Sequence, residues 1–174
     1  MNAKTLLLAA AMIATENSGA NAEPLSVEDR VAIIDTITDV AAGADRHQWE
    51  RVRNALSSEV TLDYTSLWGG SPTTQSGADI VAQWSGFLPG FDQTLHLVTN
   101  HAIVESGQDK AVAEADFQAS HRIGQDLWVL LGHYRYQLAK QDGDWKITGL
   151  TMVYTHEWGD RDLVRRAGER NSAK

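Results

Sequence analysis

Four side chains in this 174-residue sequence, Asp45, Tyr64, His96 and His121, are of types that move or hold protons. In the stretch Lys110–Ile123, His121 shares its parity with Ala111, Ala113, Ala115, Phe117 and Ala119, while Glu114, Asp116, Gln118 and Arg122 take the other. Successive strand residues face opposite sides of a sheet, so His121 is expected to point inward, above a row of alanines that leaves room for a cavity. Tyr64 shares parity with Val60 and Leu62 and is expected inside as well. His96 goes with Thr94 and Val98, and Leu95 and Leu97 go with the opposite face; alternation alone does not choose between the two. Asp45 falls where the first helix should end, where a carboxylate is ordinarily a cap or a solvated charge. A buried histidine or tyrosine is likewise ordinarily hydrogen-bonded into the core. The chemistry open to such a set is definite: a neutral imidazole accepts a proton near neutral pH, and a phenolic hydroxyl steadies charge growing on an oxygen.

The elements that must position these groups follow from periodicity. Ser26, with Asp29 three residues on, predicts a capped helix start, and Val27, Val31, Ile34, Ile37, Val40, Ala41 and Ala44 read as its buried stripe. Gly43 loosens that helix near its end. A short helix is expected through Trp49, Val52, Ala55 and Leu56, then a strand from Val60 to Tyr64. Trp68-Gly69-Gly70-Ser71-Pro72 reads as a loop. A third helix is expected from Ala78 to Leu88, with Ile80, Val81, Trp84 and Leu88 inward, stopped by Pro89-Gly90. From there the period is two: strands are expected at Thr94 to Val104, Lys110 to Ile123, Leu127 to Lys140 and Trp145 to His156. Consecutive strands joined by short turns predict an antiparallel sheet, and helices gathered at the start make the class α+β. The charged tail after Asp160 is expected to hold a short helix, Leu163 to Gly168, and then to fray.

Composition narrows the function. Hydrophobic residues make up 43% and charged residues 22%, as in ordinary globular domains. There is no cysteine, which excludes disulfide scaffolds, thiolate metal sites and cysteine nucleophiles. A net charge of -8 argues against nucleic acid, which needs a basic face. His47, His101, His133 and His156 form no recognisable metal-ligand spacing, Gly69-Gly70 lacks the lysine and helix start of a phosphate cradle, and Gly-x-Ser-x-Gly is absent. Residues 1–22 read as a signal peptide: Lys4, the apolar run Thr5 to Ala14, and Ala20-Asn21-Ala22 in the A-x-A form that precedes cleavage. The run is too short to span a bilayer. Export to a periplasm or outside the cell is therefore expected, leaving one domain over residues 23–174 with no membrane contact after processing.

Four separated segments carry a resemblance. Gly43-Ala44-Asp45-Arg46-His47-Gln48-Trp49 with Val60-Thr61-Leu62-Asp63-Tyr64, Gln93-Thr94-Leu95-His96-Leu97, and Asp142-Gly143-Asp144-Trp145-Lys146-Ile147 resemble, in sequence and order, the SnoaL-like proteins of the nuclear transport factor 2-like superfamily. The resemblance runs from about Val27 to Asp162 and implies a cone: a curved antiparallel sheet with three N-terminal helices around an apolar pocket. Within the superfamily the chain is most similar to scytalone dehydratases and, more distantly, to hexachlorocyclohexane dehydrochlorinases, which eliminate a small molecule from a ring without a metal or organic cofactor. By that resemblance Asp45 and His96 fall on the catalytic dyad, Tyr64 on a substrate-orienting tyrosine, and His121 on the dehydratases' second histidine. A second tyrosine beside the dyad aspartate is replaced by Ala44, and an asparagine expected near Tyr134 is missing.

The resemblance thus implies a lyase, or a related isomerase or cyclase, acting on a small apolar or aromatic ring. His96 is the expected base, Asp45 fixes its tautomer, Tyr64 meets the developing oxyanion, and His121 protonates the departing hydroxyl or shuttles a proton. Trp84, Phe117, Trp128 and Tyr134 are the large side chains expected to border the substrate. Relatives of this kind assemble as dimers or trimers, so a homo-oligomer is expected. The competing reading is a non-catalytic pocket or interaction module with the same cone. Convergence of Asp45, His96, Tyr64 and His121 on one open cavity separates the two.

Overall fold

The computed structural model describes residues 25–173. The expected leader, residues 1–22, lies outside them. Helix α1 spans Val27–Asp45; the Ser26 hydroxyl accepts the Asp29 N–H at 3.0 Å, and Glu28 and Asp29 lie in the first turn, where negative charge suits the helix dipole. Its buried side is Ile33, Thr36, Ile37, Val40, Gly43 and Ala44, whereas Val27 and Val31 are 71% and 52% exposed. The expected stripe therefore winds off the packed face: three-residue steps from Val31 to Ile34, Ile37 and Val40 each fall about 60° short of a full turn. Gly43 serves close approach, because a Cβ there would meet the Val52 side chain of α2 (Trp49–Ala55) at 2.8 Å.

Strand β1 covers Leu56–Asp63. The stretch expected to be a loop holds a single turn of helix, α3 (Thr65–Trp68), and an edge strand, β2 (Thr73–Ser76), paired antiparallel to β1. Helix α4 is shorter than expected, Gly77–Ser85, capped by the Ser76 hydroxyl and ended at Gly86; Leu88–Gly90 is a separate 3₁₀ turn. Four long strands follow, β3 (Gln93–Ser106), β4 (Lys110–Ile123), β5 (Asp126–Gln141) and β6 (Asp144–Gly159), each within three residues of its predicted ends. The chain closes with α5 (Leu163–Ser172), longer than expected; Leu163 and Ala167 are fully buried, and Arg166 and Arg170 tie it to Asp126 and Asp92. Within the tail, Asp162 and Glu169 both pair with Arg165.

The sheet order is β2-β1-β6-β5-β4-β3. It is mixed rather than purely antiparallel, because β1 runs parallel to β6, with Leu62 opposite Leu150. Register shifts at Leu131/Gly132 and Gln137/Leu138 interrupt the β5–β6 ladder, and bulges of this kind bend and twist a sheet. The inner face carries the core, closed by α1 and the shorter helices. Only Ala119 of the alanine row borders a cavity; Ala111, Ala113 and Ala115 lie in the packed core beside Leu138, Tyr136 and Tyr134 of β5. No helix among the described residues is long and apolar enough to cross a membrane.

Candidate active site

The question that alternation left open on β3 is resolved by exposure: Thr94 is buried and His96 half-buried, while Leu95 and Leu97 are 44% and 46% exposed. His96 therefore points inward, toward the C-terminal end of α1. There the Asp45 carboxylate accepts three hydrogen bonds: from the His96 backbone N–H at 2.7 Å, from His96 Nδ1 at 2.7 Å and from the Thr94 hydroxyl at 2.8 Å. The two side chains are only 10% and 19% exposed. Burial pushes the Asp45 carboxyl up, but the hydrogen bonds and charge of His96 and the Thr94 bond outweigh it and hold the group below its ordinary value. A carboxylate only accepts, so Nδ1 carries the hydrogen and, in the neutral ring, Nε2 keeps a free lone pair.

His121, paired across the sheet with Thr94 and with Trp128, sets its ring 5.3 Å from that of His96, edge to face. It is packed between Phe91 (4.9 Å) and Trp128 (4.8 Å), and its buried Nδ1 makes no well-formed hydrogen bond. Burial first, and the neighbouring His96 second, push its pKa down to about 3, against smaller opposing effects of the Trp128 backbone and Asp45. At neutral pH His121 is therefore an uncharged ring.

Both histidines line a cavity of about 320 Å³, at the small end of the roughly 300–1,000 Å³ typical of ligand pockets. Tyr64, just beyond the end of β1 rather than within it, lines the same cavity, and so do Trp84, Trp128 and Tyr134. The wall is otherwise largely aliphatic, with Val40, Leu62, Leu130, Leu150 and Met152. Phe117 does not reach the cavity; it stacks on Tyr134 with ring centres 4.2 Å apart. Gln75 and Gln83, hydrogen-bonded to each other, and Trp68 border it as well. Thr94 and Tyr136 are site residues that the sequence reading missed; parity with Tyr134 places Tyr136 on the inner face, whereas Thr94 shares the undecided parity of His96. Trp68 gave no such signal, since its helix is a single turn followed by two glycines. His47 stacks on Trp49 away from the site, and no three His, Asp or Glu side chains gather as a metal centre among the described residues.

A bent sheet wrapped on helices around an apolar cavity is the nuclear transport factor 2-like cone, and here a histidine held by a carboxylate behind it stands in the cavity wall. Residues 25–151 match the model of the SnoaL-like domain, and the chain belongs to that family. It is 30% identical, over 167 aligned residues covering 83% of this chain and 93% of the relative, to Dehydratase cfoI from Aspergillus candidus. Among solved structures, a protein from Kribbella flavida superposes with a TM-score of 0.74 at 23% identity, covering 79% of this chain and 97% of that one. A putative scytalone dehydratase from Novosphingobium aromaticivorans superposes with a TM-score of 0.67 at 19% identity, covering 77% and 89%.

Proposed function

We propose that the chain is a cofactor-independent lyase that removes water from a small cyclic or aromatic compound by general-base catalysis at His96. A lyase-type enzyme is what the relationship to a dehydratase supports. The observation that carries the finer reading is the Asp45 carboxylate engaging both the backbone N–H and Nδ1 of His96, which aims a free Nε2 lone pair away from the carboxylate, on a ring that lines the cavity.

His96 Nε2 takes the proton from a carbon beside an activating carbonyl, the C–H electron pair becomes the new carbon–carbon double bond, and the C–O bond to the hydroxyl breaks. The departing hydroxyl receives the proton from the His96 imidazolium and leaves as water, restoring the base. Asp45 stabilises the imidazolium, and the Tyr64 hydroxyl, which burial keeps protonated, donates to the carbonyl oxygen. Because His121 is held uncharged, its part is to hydrogen-bond the leaving oxygen rather than to act as a standing cationic acid. The test is a screen of hydroxylated and halogenated ring compounds against purified protein, read by release of water or halide. His96→Ala, confirmed folded, is expected to lose about 10²- to 10⁴-fold in rate; turnover of a confirmed substrate at the wild-type rate overturns the assignment.

We propose further that the protein is exported and assembles as a homo-oligomer. Leu95, Val129 and Trp158 form one row across the outer sheet face through the pairings Leu95–Ser120, Ser120–Val129 and Val129–Trp158, with Leu97 and Leu127 beside it. Leu95, Leu97, Leu127 and Trp158 are each more than 40% exposed while Val129 among them is buried, and large apolar side chains exposed on one face favour an interface. Sedimentation equilibrium reads the assembly directly, and a monomer at micromolar concentration removes this part of the proposal.

A further inference from the structure

The cavity that His96 and His121 line is also lined by a second polar group, of different composition. Tyr134 and Tyr136 are successive inward residues of β5, 7% and 3% exposed, with ring centres 5.6 Å apart. The strand order brings Tyr64 to them across β6: Tyr134 pairs with Met152, Tyr136 with Leu150, and Leu150 in turn with Leu62, two residues before Tyr64. Two phenols of β5 and a third just past the end of β1 thus stand on either side of Leu150 and Met152, and all five residues line the same cavity.

A buried tyrosine ordinarily finds a partner for its hydroxyl. Among the described residues, the hydroxyls of Tyr64, Tyr134 and Tyr136 bond to no other protein group. The rings of Tyr134 and Tyr136 are nevertheless held in place. Tyr134 is stacked on Phe117, and the small side chains of Ala113 and Ala115 stand opposite Tyr136 and Tyr134 on β4, leaving the rings their space. Burial raises all three phenols above their ordinary pKa, and Tyr64 raises Tyr134 and Tyr136 further, so at neutral pH each is a donor. Preorganised donors in an apolar hollow favour ligands whose oxygens can satisfy them, since a group left unpaired there costs the full desolvation penalty.

We propose that Tyr134 and Tyr136, with Tyr64, form a phenolic subsite that holds a ring oxygen substituent, and that Tyr136 is a specificity-determining residue. The site takes rings bearing a carbonyl or hydroxyl oxygen and discriminates against rings of the same size substituted only with halogen. Carbon-bound halogen is a poor acceptor, and two donors facing it stay unsatisfied. The word substrate rests on the lyase reading, but the subsite itself is tested by binding alone.

The experiment is equilibrium binding, by calorimetry, of 2-naphthol and of the shape-matched 2-chloronaphthalene to the full chain, to Tyr136→Phe and to Tyr134→Phe/Tyr136→Phe. Thermal unfolding confirms that each variant is folded. Wild type is expected to bind 2-naphthol about tenfold or more tighter than the chloro compound. Tyr136→Phe is expected to weaken 2-naphthol by about 3- to 10-fold, the effect of one neutral hydrogen bond, and to leave 2-chloronaphthalene within about 2-fold. Equal wild-type affinity for the two ligands, failure to bind 2-naphthol, or equal weakening of both ligands in Tyr136→Phe overturns the proposal. Selective binding of 2-naphthol by a protein that eliminates nothing from any ring compound would remove the lyase reading and leave the subsite standing.

Discussion

Asp45 is committed on every side: both oxygens are taken, by the ring, the backbone and a threonine hydroxyl. Such a carboxylate cannot reorient, so the tautomer of His96 is fixed before any ligand arrives. An asparagine of the same shape would set its NH₂ against an N–H donor or release the ring to its other tautomer. Asp45→Asn is therefore expected to lower kcat by about 10²- to 10⁴-fold with the fold intact, measured by steady-state kinetics on the substrate that the screen identifies. The residues of this site were unequally legible in sequence. His121 was readable because five small or apolar residues share its parity, which leaves one inner face. His96 was not, because leucines occupy the opposite parity on β3 and only their exposure at the outer surface decides between faces. Tyr64 was placed correctly by parity even though it lies just past the strand. The pairing of Asp45 with His96, 51 positions away, has no local signature at all; only the resemblance pointed to it.

The elements follow the strength of their local patterns. The four long strands and α1 announce themselves by period and capping, and the sequence reading placed each of them. β2 could not be read, because Thr73-Thr74-Gln75-Ser76 has no apolar alternation and its edge is satisfied by β1 alone. The parallel pairing of β1 with β6 joins segments separated by about half of the chain, Leu62 meeting Leu150, and no turn chemistry encodes it. Gly132 is the element-scale feature on which the cavity depends. It lies at the β5–β6 register shift, two residues before Tyr134, and a Cβ there would come 2.1 Å from the Val153 carbonyl oxygen and 2.9 Å from the Phe117 ring. The backbone contact cannot yield without opening the ladder. Gly132→Ala is expected to cost about 1–3 kcal/mol, seen as a lower urea midpoint, and to weaken ligand binding through displacement of Phe117 and Tyr134.

At the scale of the whole molecule, the cost of placing an imidazole in an apolar hollow is carried by the fold, and it should appear as acid sensitivity. In the unfolded chain His121 titrates near 6.5; in the native state burial and His96 hold it to about 3. Between those values the unfolded chain binds the proton and the native one does not, so stability falls as pH drops through 6.5 toward 3. The loss is on the order of 4 kcal/mol at the lower end, large against the roughly 5–15 kcal/mol of a typical domain. Asp45 works in a lower window. Its carboxyl is depressed below 3.8, so its contribution is full above that value and disappears only as pH falls through its native value. The two groups are separable. His121→Phe keeps an aromatic ring between Phe91 and Trp128 and removes the titration. Urea unfolding at pH 7.5, 6, 5 and 4 is expected to show a steady decline in wild type and a shallower one in His121→Phe, the remainder coming from His101, whose ring burial also holds below its ordinary pKa. A wild-type midpoint that stays constant from pH 7.5 to 4 would mean that the His121 ring accepts a proton in the folded state, and that it acts as a cationic acid after all.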